Sequence, residues 1–163
     1  VKEVSLVEKM LVRGVARDND VARISVVGIN DEPGKAYRLF DLLSRKNINV
    51  DIILQSIGRD NTKDISFTVT KSQLQEAVDV INENMALLGA QEVKHTENVS
   101  KISIVGAGMV SNPGVAAKMF EALYEAQINI HMISTSEIKI SVLVNENNAD
   151  AAVAAVHDKF FNN

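Results

Sequence analysis

The chain contains nearly the same sequence twice, about 80 residues apart. Residues 24–28 read Ile-Ser-Val-Val-Gly and return at 102–106 as Ile-Ser-Ile-Val-Gly, and each segment is followed by a Pro-Gly pair. The second copy has two additional residues before its Pro-Gly pair, after which the spacing of the apolar residues is the same in both. Two copies of one small module are therefore encoded. The matching positions include Pro33 with Pro113, Phe40 with Phe120, Leu43 with Leu123, Ile48 with Ile128, and Asn49 with Asn129.

A chain of 163 residues with 46% hydrophobic content can bury one good core or two small ones, and the repeat favours two. No apolar run approaches the roughly 18 to 20 residues of a membrane span, and residues 1–4 lack a signal pattern, so we expect a soluble, cytoplasmic protein. The absence of cysteine excludes disulfides, thiolate metal sites and cysteine nucleophiles. A net charge of -4 and 4% aromatic residues argue against a nucleic-acid surface. Small polar ligands and protein partners remain.

Each copy shows the order strand, helix, strand, strand, helix. Strands are indicated by β-formers between turn residues, and helices by apolar residues at helical spacing, the first helix starting near the Pro-Gly pair. This order is five-sixths of a ferredoxin-like βαββαβ arrangement, so we predict an α+β fold of two such domains with helices on one face of each antiparallel sheet. The predicted strands are 23–29, 47–55, 65–69, 101–106, 128–135 and 138–144, and the predicted helices begin at Pro33 and Pro113 or span 74–88 and 149–160.

The sixth element of each domain is a strand, and the two copies obtain it differently. Residues 91–96 supply it in the first copy, but the second copy runs out of chain after its last helix. The apolar stretch 10–16, ahead of the first copy, is the obvious candidate. The first domain, 17–97, is then an insertion within a second domain formed by 10–16 together with 98–163.

We find no catalytic constellation in the sequence. His95, His131 and His157 fall in three different elements and show no metal-ligand spacing, so we predict no metal site. The segment Gly-Ala-Gly-Met-Val-Ser at 106–111 resembles a dinucleotide fingerprint with serine at the third glycine. The equivalent loop of the first copy lacks the second glycine, which argues against nucleotide binding.

Both copies instead keep a polar turn that runs into Pro-Gly at a helix start. Free backbone N–H groups and the positive end of the helix dipole favour a small carboxylate there, although a plain capped turn has the same sequence. Asp51, on the second strand next to that turn, could hold an ammonium group, and Gln55 further along the strand could form a hydrogen bond with a ligand side chain. Together these features describe an amino-acid pocket.

The turn, the segment Asn-Ile-Asn-Val-Asp at 47–51 and above all Asn-Ile-His-Met-Ile-Ser-Thr-Ser-Glu at 129–137 resemble the paired ACT domains at the C-terminus of aspartate kinase. The likeness extends from about Met10 to Phe160. It implies feedback control, in which tandem domains bind threonine, lysine or both and restrain a separate catalytic domain. That domain is absent here, so the chain resembles either a truncated regulatory region or the short β subunit that some bacteria make beside a full-length α subunit.

The resemblance also implies partners and site residues. It implies a homodimer through the ACT domains, contact with a catalytic domain or α subunit, and no cofactor on this chain, since ATP and Mg would belong to the catalytic domain. In the family, the first copy of one subunit packs beside the second copy of another, so that effectors lie at a dimer interface. The implied effector-binding residues are Asp31, Glu32, Pro33, Gly34, Lys35, Ala36, Asn49, Val50, Asp51 and Gln55 from the first copy, with Val115, Ala116, Asn129, Ile130, Ser136 and Glu137 from the second.

The two copies depart from each other at the end of the second strand, where Gln-Ser-Ile at 55–57 replaces Thr-Ser-Glu at 135–137. We therefore expect two unequal sites, of which those built on the first loop bind more tightly. Two other functions stay open. One is an ACT-type sensor subunit of another biosynthetic enzyme, and the other is a small ferredoxin-like enzyme whose acid-base pair we do not find.

Overall fold

A computed structural model of the chain describes residues 12–109 and 111–162. The described residues divide into two compact units, of which one is Asp20–Glu97 and the other joins the residues up to Asn19 with those from Asn98 onward. In chain order the strands are β1 (Val12–Asp18), β2 (Ala22–Asn30), β3 (Ile53–Ile57), β4 (Thr62–Val69), β5 (Glu92–Thr96), β6 (Val99–Gly106), β7 (Met132–Thr135) and β8 (Lys139–Asn145). The helices are α1 (Lys35–Arg45), α2 (Leu74–Glu83), α3 (Met85–Leu88), α4 (Pro113–Glu125) and α5 (Ala149–Phe161).

The unit Asp20–Glu97 is an antiparallel sheet of order β3-β4-β2-β5 with helices on one face. Ile24 of β2 lies opposite Phe67 of β4, and both are fully buried against Leu39 and Leu43 of α1 and Ile81 of α2. The alternation of apolar and polar residues along β2 and β4 produces this one-sided core, because successive side chains of a strand point to opposite faces.

The other unit has the sheet order β1-β6-β8-β7, which is the same topology. Its core includes Ile102 and Ile104 of β6, Met119 of α4 and Phe160 of α5, all fully buried. β1 pairs antiparallel with β6 and occupies the edge that β5 occupies in the other sheet. Residues 10 and 11, where the predicted edge strand begins, and residue 163 lie outside the described residues. The predicted fold class, two ferredoxin-like α+β domains, is confirmed.

Two predicted strands begin too early in the sequence. β3 starts at Ile53 rather than at 47, and β7 starts at Met132 rather than at 128. Two residues after the end of each preceding helix comes a residue with positive φ, Asn47 at 56° and Gln127 at 60°, which turns the chain back toward the sheet. The next apolar residue, Ile48 or Ile128, is then buried at the end of the hydrophobic core but is not part of a β-strand.

The predicted helix over 74–88 is also interrupted. Asn84 leaves helical geometry at φ -121°, and its side-chain amide donates to the Val80 carbonyl at 2.7 Å. A side chain that bonds backbone four residues earlier competes with continuation of the helix. The chain therefore forms α2 and a separate turn, α3, which ends at Gly89 with φ 64°.

Candidate functional site

The polar loop that follows β2 is held by the hairpin between β3 and β4. The Asp31 N–H donates to the Asn61 carbonyl at 2.8 Å, and the Asp31 carboxylate lies 3.8 Å from the Lys63 ammonium. Lys63 is nearly buried, whereas Asp31 is largely exposed. The acidic side chain therefore faces solvent while its charge is partly balanced from the sheet side.

Pro33 and Gly34 bring this loop into α1. Gly34 has φ 91°, a conformation that side chains other than glycine rarely adopt, and its carbonyl accepts from the Arg38 N–H at 3.0 Å. The first N–H groups of a helix have no acceptor within the helix, so those of α1 point toward the loop side of the unit. The loop and the start of the helix can therefore hold a small anion such as a carboxylate, which is the ligand group expected from the sequence of this turn.

Lys35, one of the predicted site residues, is committed to the fold. Its ammonium donates to the Leu87 carbonyl of α3 at 3.0 Å and lies 3.9 Å from the Glu32 carboxylate, and its side chain is only 15% exposed. Lys35 thus fastens the first turn of α1 to α3. We expect its charge to position the loop rather than to reach a ligand.

Asp51 does not lie beside the loop of its own unit. β4 pairs with β2 on one side and with β3 on the other, so that Ile29 and Ile57 both lie opposite Lys63, near the loop. Asp51 precedes β3 and donates its N–H to the Thr68 carbonyl, which is five residues further along β4. Lys63 and Thr68 are therefore about 16 to 17 Å apart along the strand.

The expectation that Asp51 adjoins the Pro-Gly turn is therefore corrected. Two parallel strands joined by a helix crossover, β2 and β3, begin at one end of the sheet and finish at the other. The start of β3 is consequently remote from the end of β2, and Gln55 lies midway, opposite Ile65. One copy of this unit does not bring Asp31, Gln55 and Asp51 around a single small ligand.

Asn49 and Val50 line a surface hollow of about 580 Å³ at that far end, together with Phe40 and Ile53. Gln73, which sequence analysis missed, holds the segment 47–49 in place through two side-chain hydrogen bonds. Its side-chain carbonyl accepts from the Asn49 N–H at 3.1 Å, and its amide donates to the Asn47 carbonyl at 2.9 Å. A residue so distant in sequence gives no local signal of this role.

In the other unit, the side chain of Val115 is fully buried in the core, and its N–H donates to the Asn112 carbonyl at 3.0 Å. Only its backbone can contribute to a site. Ala116 and Ile130 pack partly against the same core. The remaining predicted residues of this unit, Asn129, Ser136 and Glu137, are exposed.

The loop after β6 is also held by its neighbouring hairpin, because the Met109 N–H donates to the Glu137 carbonyl at 3.0 Å. The hairpins differ in length: the chain takes five residues from Thr135 to Ile140 but ten between the equivalent positions, Gln55 and Ile65. The longer hairpin is the one that carries Asn61 and Lys63 to the first loop. The two loops are therefore supported by different residues.

Within the described ranges, 12–109 and 111–162, no three acidic or histidine side chains come together as a metal site would require. Across the same ranges, no helix has the length and apolar character needed to cross a membrane.

The ACT domain family matches this chain twice, at residues 24–85 and 102–160. These segments cover both βαββα repeats, and the chain belongs to the ACT domain family.

The relatives of the chain indicate which kind of ACT protein it resembles. The chain is 42% identical to the aspartokinase of Pseudomonas aeruginosa over 153 residues, which are 94% of this chain and 37% of the relative. It is 45% identical to the aspartokinase of Helicobacter pylori over 150 residues, 92% of this chain and 36% of the relative. The chain thus spans little more than a third of the length of these relatives and corresponds to their regulatory region.

Solved structures agree with this assignment. The regulatory subunit of aspartate kinase from Thermus thermophilus, in a ligand-free form, is 41% identical with a TM-score of 0.87, and the match covers 92% of this chain and 99% of that one. A structure of aspartokinase alpha and beta subunits is 42% identical with a TM-score of 0.85, covering 91% and 98%. The resemblance to the aspartate kinase regulatory region is confirmed.

Proposed function

We propose that this chain is the cytoplasmic effector-binding module of an aspartokinase, which binds threonine, lysine or both and thereby transmits feedback inhibition to the catalytic part. The single observation that carries the effector site is the polar loop 31–36. It joins an exposed carboxylate, Asp31, to the N-terminus of α1 at a sheet corner. An α-amino acid offers the complementary pair, an ammonium and a carboxylate, within one small ligand.

The separation of Asp31 from Asp51 supports a pocket completed by a second copy. β3 and β7 are edge strands, and β3 exposes Ile53, Leu54 and Ile57, the last at 96%. Apolar edge strands pair readily with another chain. Antiparallel pairing of two such edges brings the start of one strand beside the end of the other.

We therefore propose a homodimer in which β3 of one copy lies antiparallel to β7 of its partner. Asn129 and Ile130 then face the loop 31–36, and Asn49 and Val50 face the backbone at Val115 and Ala116. Closed two-fold symmetry forms two pockets of each kind. Asp51 and Gln55 contribute from the β3 edge, and Ser136 and Glu137 from the end of β7.

Inhibition requires only that the effector bind one arrangement of the paired domains better than another. A differential affinity of about 1 to 3 kcal/mol, or 5- to 150-fold, is enough for a useful switch. Pockets that span two chains meet this requirement, because their geometry changes whenever the chains move relative to each other.

The test is a thermal-shift panel of the twenty amino acids on the 163-residue chain, followed by titration calorimetry. We expect stabilisation by threonine or lysine, and weaker binding in Asp31→Ala, Asp51→Ala and Gln55→Ala. Glu76→Ala, an exposed acidic position on α2, is the matched control and is expected to bind normally. Stabilisation by a different amino acid alone supports the sensor of another enzyme, and an absence of stabilisation by any amino acid contradicts the proposal.

A further inference from the structure

A groove of about 460 Å³ runs along the outer side of α1, between that helix and α3. Its apolar surface comes from Tyr37, which is 71% exposed, Leu87, which is 44% exposed, and the half-buried Leu42. Arg38 and Arg45 lie on its rim together with Asp41, whose carboxylate forms an ion pair with Arg45 at 3.0 Å. None of these residues belongs to the effector site proposed above.

The second unit provides an internal comparison, because the same fold carries different residues on the equivalent helix face. At the repeat spacing, Tyr37 corresponds to Ala117, Leu42 to Ala122, and Arg45 to Glu125. There, Lys159 of α5 bonds both Glu121 and Glu125, the latter at 2.6 Å. Arg38 and Asp41 have counterparts of the same charge, Lys118 and Glu121. The second unit thus covers this face with an ion-pair cluster, whereas the first has larger apolar side chains and a positive charge in place of Glu125. The fold alone therefore does not require the groove.

The groove is continuous with the effector loop. Pro33 and Gly34 line one end of it, and Lys35 bonds the Leu87 carbonyl at the other wall. A ligand that shifts the backbone at 33–35 therefore changes the distance between α1 and α3, which sets the width of the groove. The effector loop and the groove therefore share the residues that begin α1.

We propose that this groove is the docking surface for the catalytic part of aspartokinase, which inserts an apolar segment flanked by acidic side chains. This proposal rests on the proposed function for its regulatory consequence. Nearly two thirds of the length of the aspartokinase relatives lies outside the region that this chain matches. A signal from the effector loop needs a surface through which it reaches that part. With Arg38, Arg45 and Asp41, the rim of the groove carries one net positive charge on a chain of net charge -4, and this favours an acidic partner. Tyr and Arg are also the side chains that most often dominate binding energy at interfaces.

The test places the photo-crosslinking amino acid p-benzoylphenylalanine at position 37 within the assembled aspartokinase that contains this chain. Mass spectrometry then identifies the attached peptide. We expect a peptide from the catalytic part that carries Asp or Glu beside apolar residues. The control places the same probe at Tyr124, an equally exposed tyrosine of α4, where we expect no catalytic peptide.

A second variant reads out the functional coupling. Arg45→Glu introduces the charge that the second unit carries at the equivalent position, and we expect it to raise the effector concentration for half-inhibition of the kinase at least 5-fold. Tyr124→Ala is expected to leave that concentration unchanged. Cross-linking of position 37 to a second copy of this chain, or to no peptide, overturns the docking proposal. Failure of the amino-acid panel overturns the proposed function instead, and does not alter which peptide is cross-linked.

Discussion

The hydroxyl groups of Ser103 and Ser141 meet across adjacent strands, with 2.7 Å between their oxygens. Both residues are buried, and they lie directly opposite each other in the β6–β8 ladder. The same contact recurs between Ser25 and Ser66 in the β2–β4 ladder at 2.8 Å, where it is only partly buried. The repeat therefore preserves a cross-strand hydroxyl pair, not only its apolar residues.

Replacing Ser103 with alanine is expected to destabilise the protein by about 1 to 3 kcal/mol, because the Ser141 hydroxyl is left buried without this partner. Ser25→Ala is expected to cost less, since water can reach Ser66. Urea unfolding measures both. The double variant Ser103→Ala/Ser141→Ala is the control, and its cost should fall below the sum of the single costs. An additive result would show that the two hydroxyls contribute independently.

Three glycines allow backbone strain to be separated from crowding. Gly28 has φ 71°, and a Cβ there would lie 2.6 Å from the Gln91 side chain, whereas Gly34 has φ 91° with open space around it. We expect Gly34→Ala to cost about 1 kcal/mol from strain alone, and Gly28→Ala to cost about 2 kcal/mol because Gln91 must also move. Gly14→Ala, with neither problem, is the control and should be neutral or slightly stabilising. Equal unfolding midpoints for Gly28→Ala and Gly34→Ala would exclude crowding by Gln91.

The cluster around Lys159 predicts a pH dependence. Hydrogen bonding from Lys159 lowers the pKa of Glu121, and Glu121 and Glu125 raise the pKa of Lys159. The contribution of Glu121 is therefore present above its ordinary pKa of 4.5 and is lost as the pH falls through the lower folded value. That of Lys159 is present below 10.5 and is lost as the pH rises through the higher folded value.

Lys159→Met is accordingly expected to be less stable than the natural chain near neutral pH, with a difference that shrinks at about pH 3 and in high salt, since both carboxylates are exposed. Denaturant unfolding at several pH values measures this difference. Lys94→Met removes only a 4.0 Å exposed contact with Glu92 and should show no such trend. A difference for Lys159→Met that stays constant down to pH 3 would show that packing of its stem, and not its charge, is responsible.

The fold was predictable because the repeat shows the same order of strands and helices twice, in two different sequences. Alternation at Ile65, Ser66 and Phe67 and helical spacing in α1 describe local preferences that the sheet and core do not override. The beginnings of β3 and β7 were not predictable, because 47–52 and 128–131 contain β-forming residues that the turns at Asn47 and Gln127 direct into caps of the core. Propensity does not reveal which apolar residue joins a ladder and which covers an end.

The candidate site was only partly predictable for a related reason. Sequence analysis finds residues capable of holding a ligand, such as Asp31 and Asp51 for an ammonium group. Closeness along the sequence, however, does not show at which end of the sheet each residue lies. Gln73, Lys63 and Leu87 support the site from other elements and carry no local motif. Their roles depend on tertiary register, which appears only in the folded chain.

The β3 edge provides the last prediction, since the proposed pocket requires pairing between copies. Ile57→Lys places a charge on the most exposed apolar residue of that edge and is expected to shift the dimer toward monomer by at least 10-fold in dissociation constant. Effector affinity should fall with it, because Asn129 and Ile130 of the partner would no longer face the loop. Sedimentation velocity measures the first effect and calorimetry the second.

The outer edge of the same sheet supplies the control for this change. His95→Lys lies on β5, at the opposite edge, and should alter neither dimerisation nor effector binding. An Ile57→Lys chain that becomes monomeric yet binds threonine or lysine with unchanged affinity would place the effector within one copy. Because the loop and Asp51 lie at opposite ends of the sheet, about 16 to 17 Å apart along β4, only the loop side would then contribute, since a single amino acid does not span that distance.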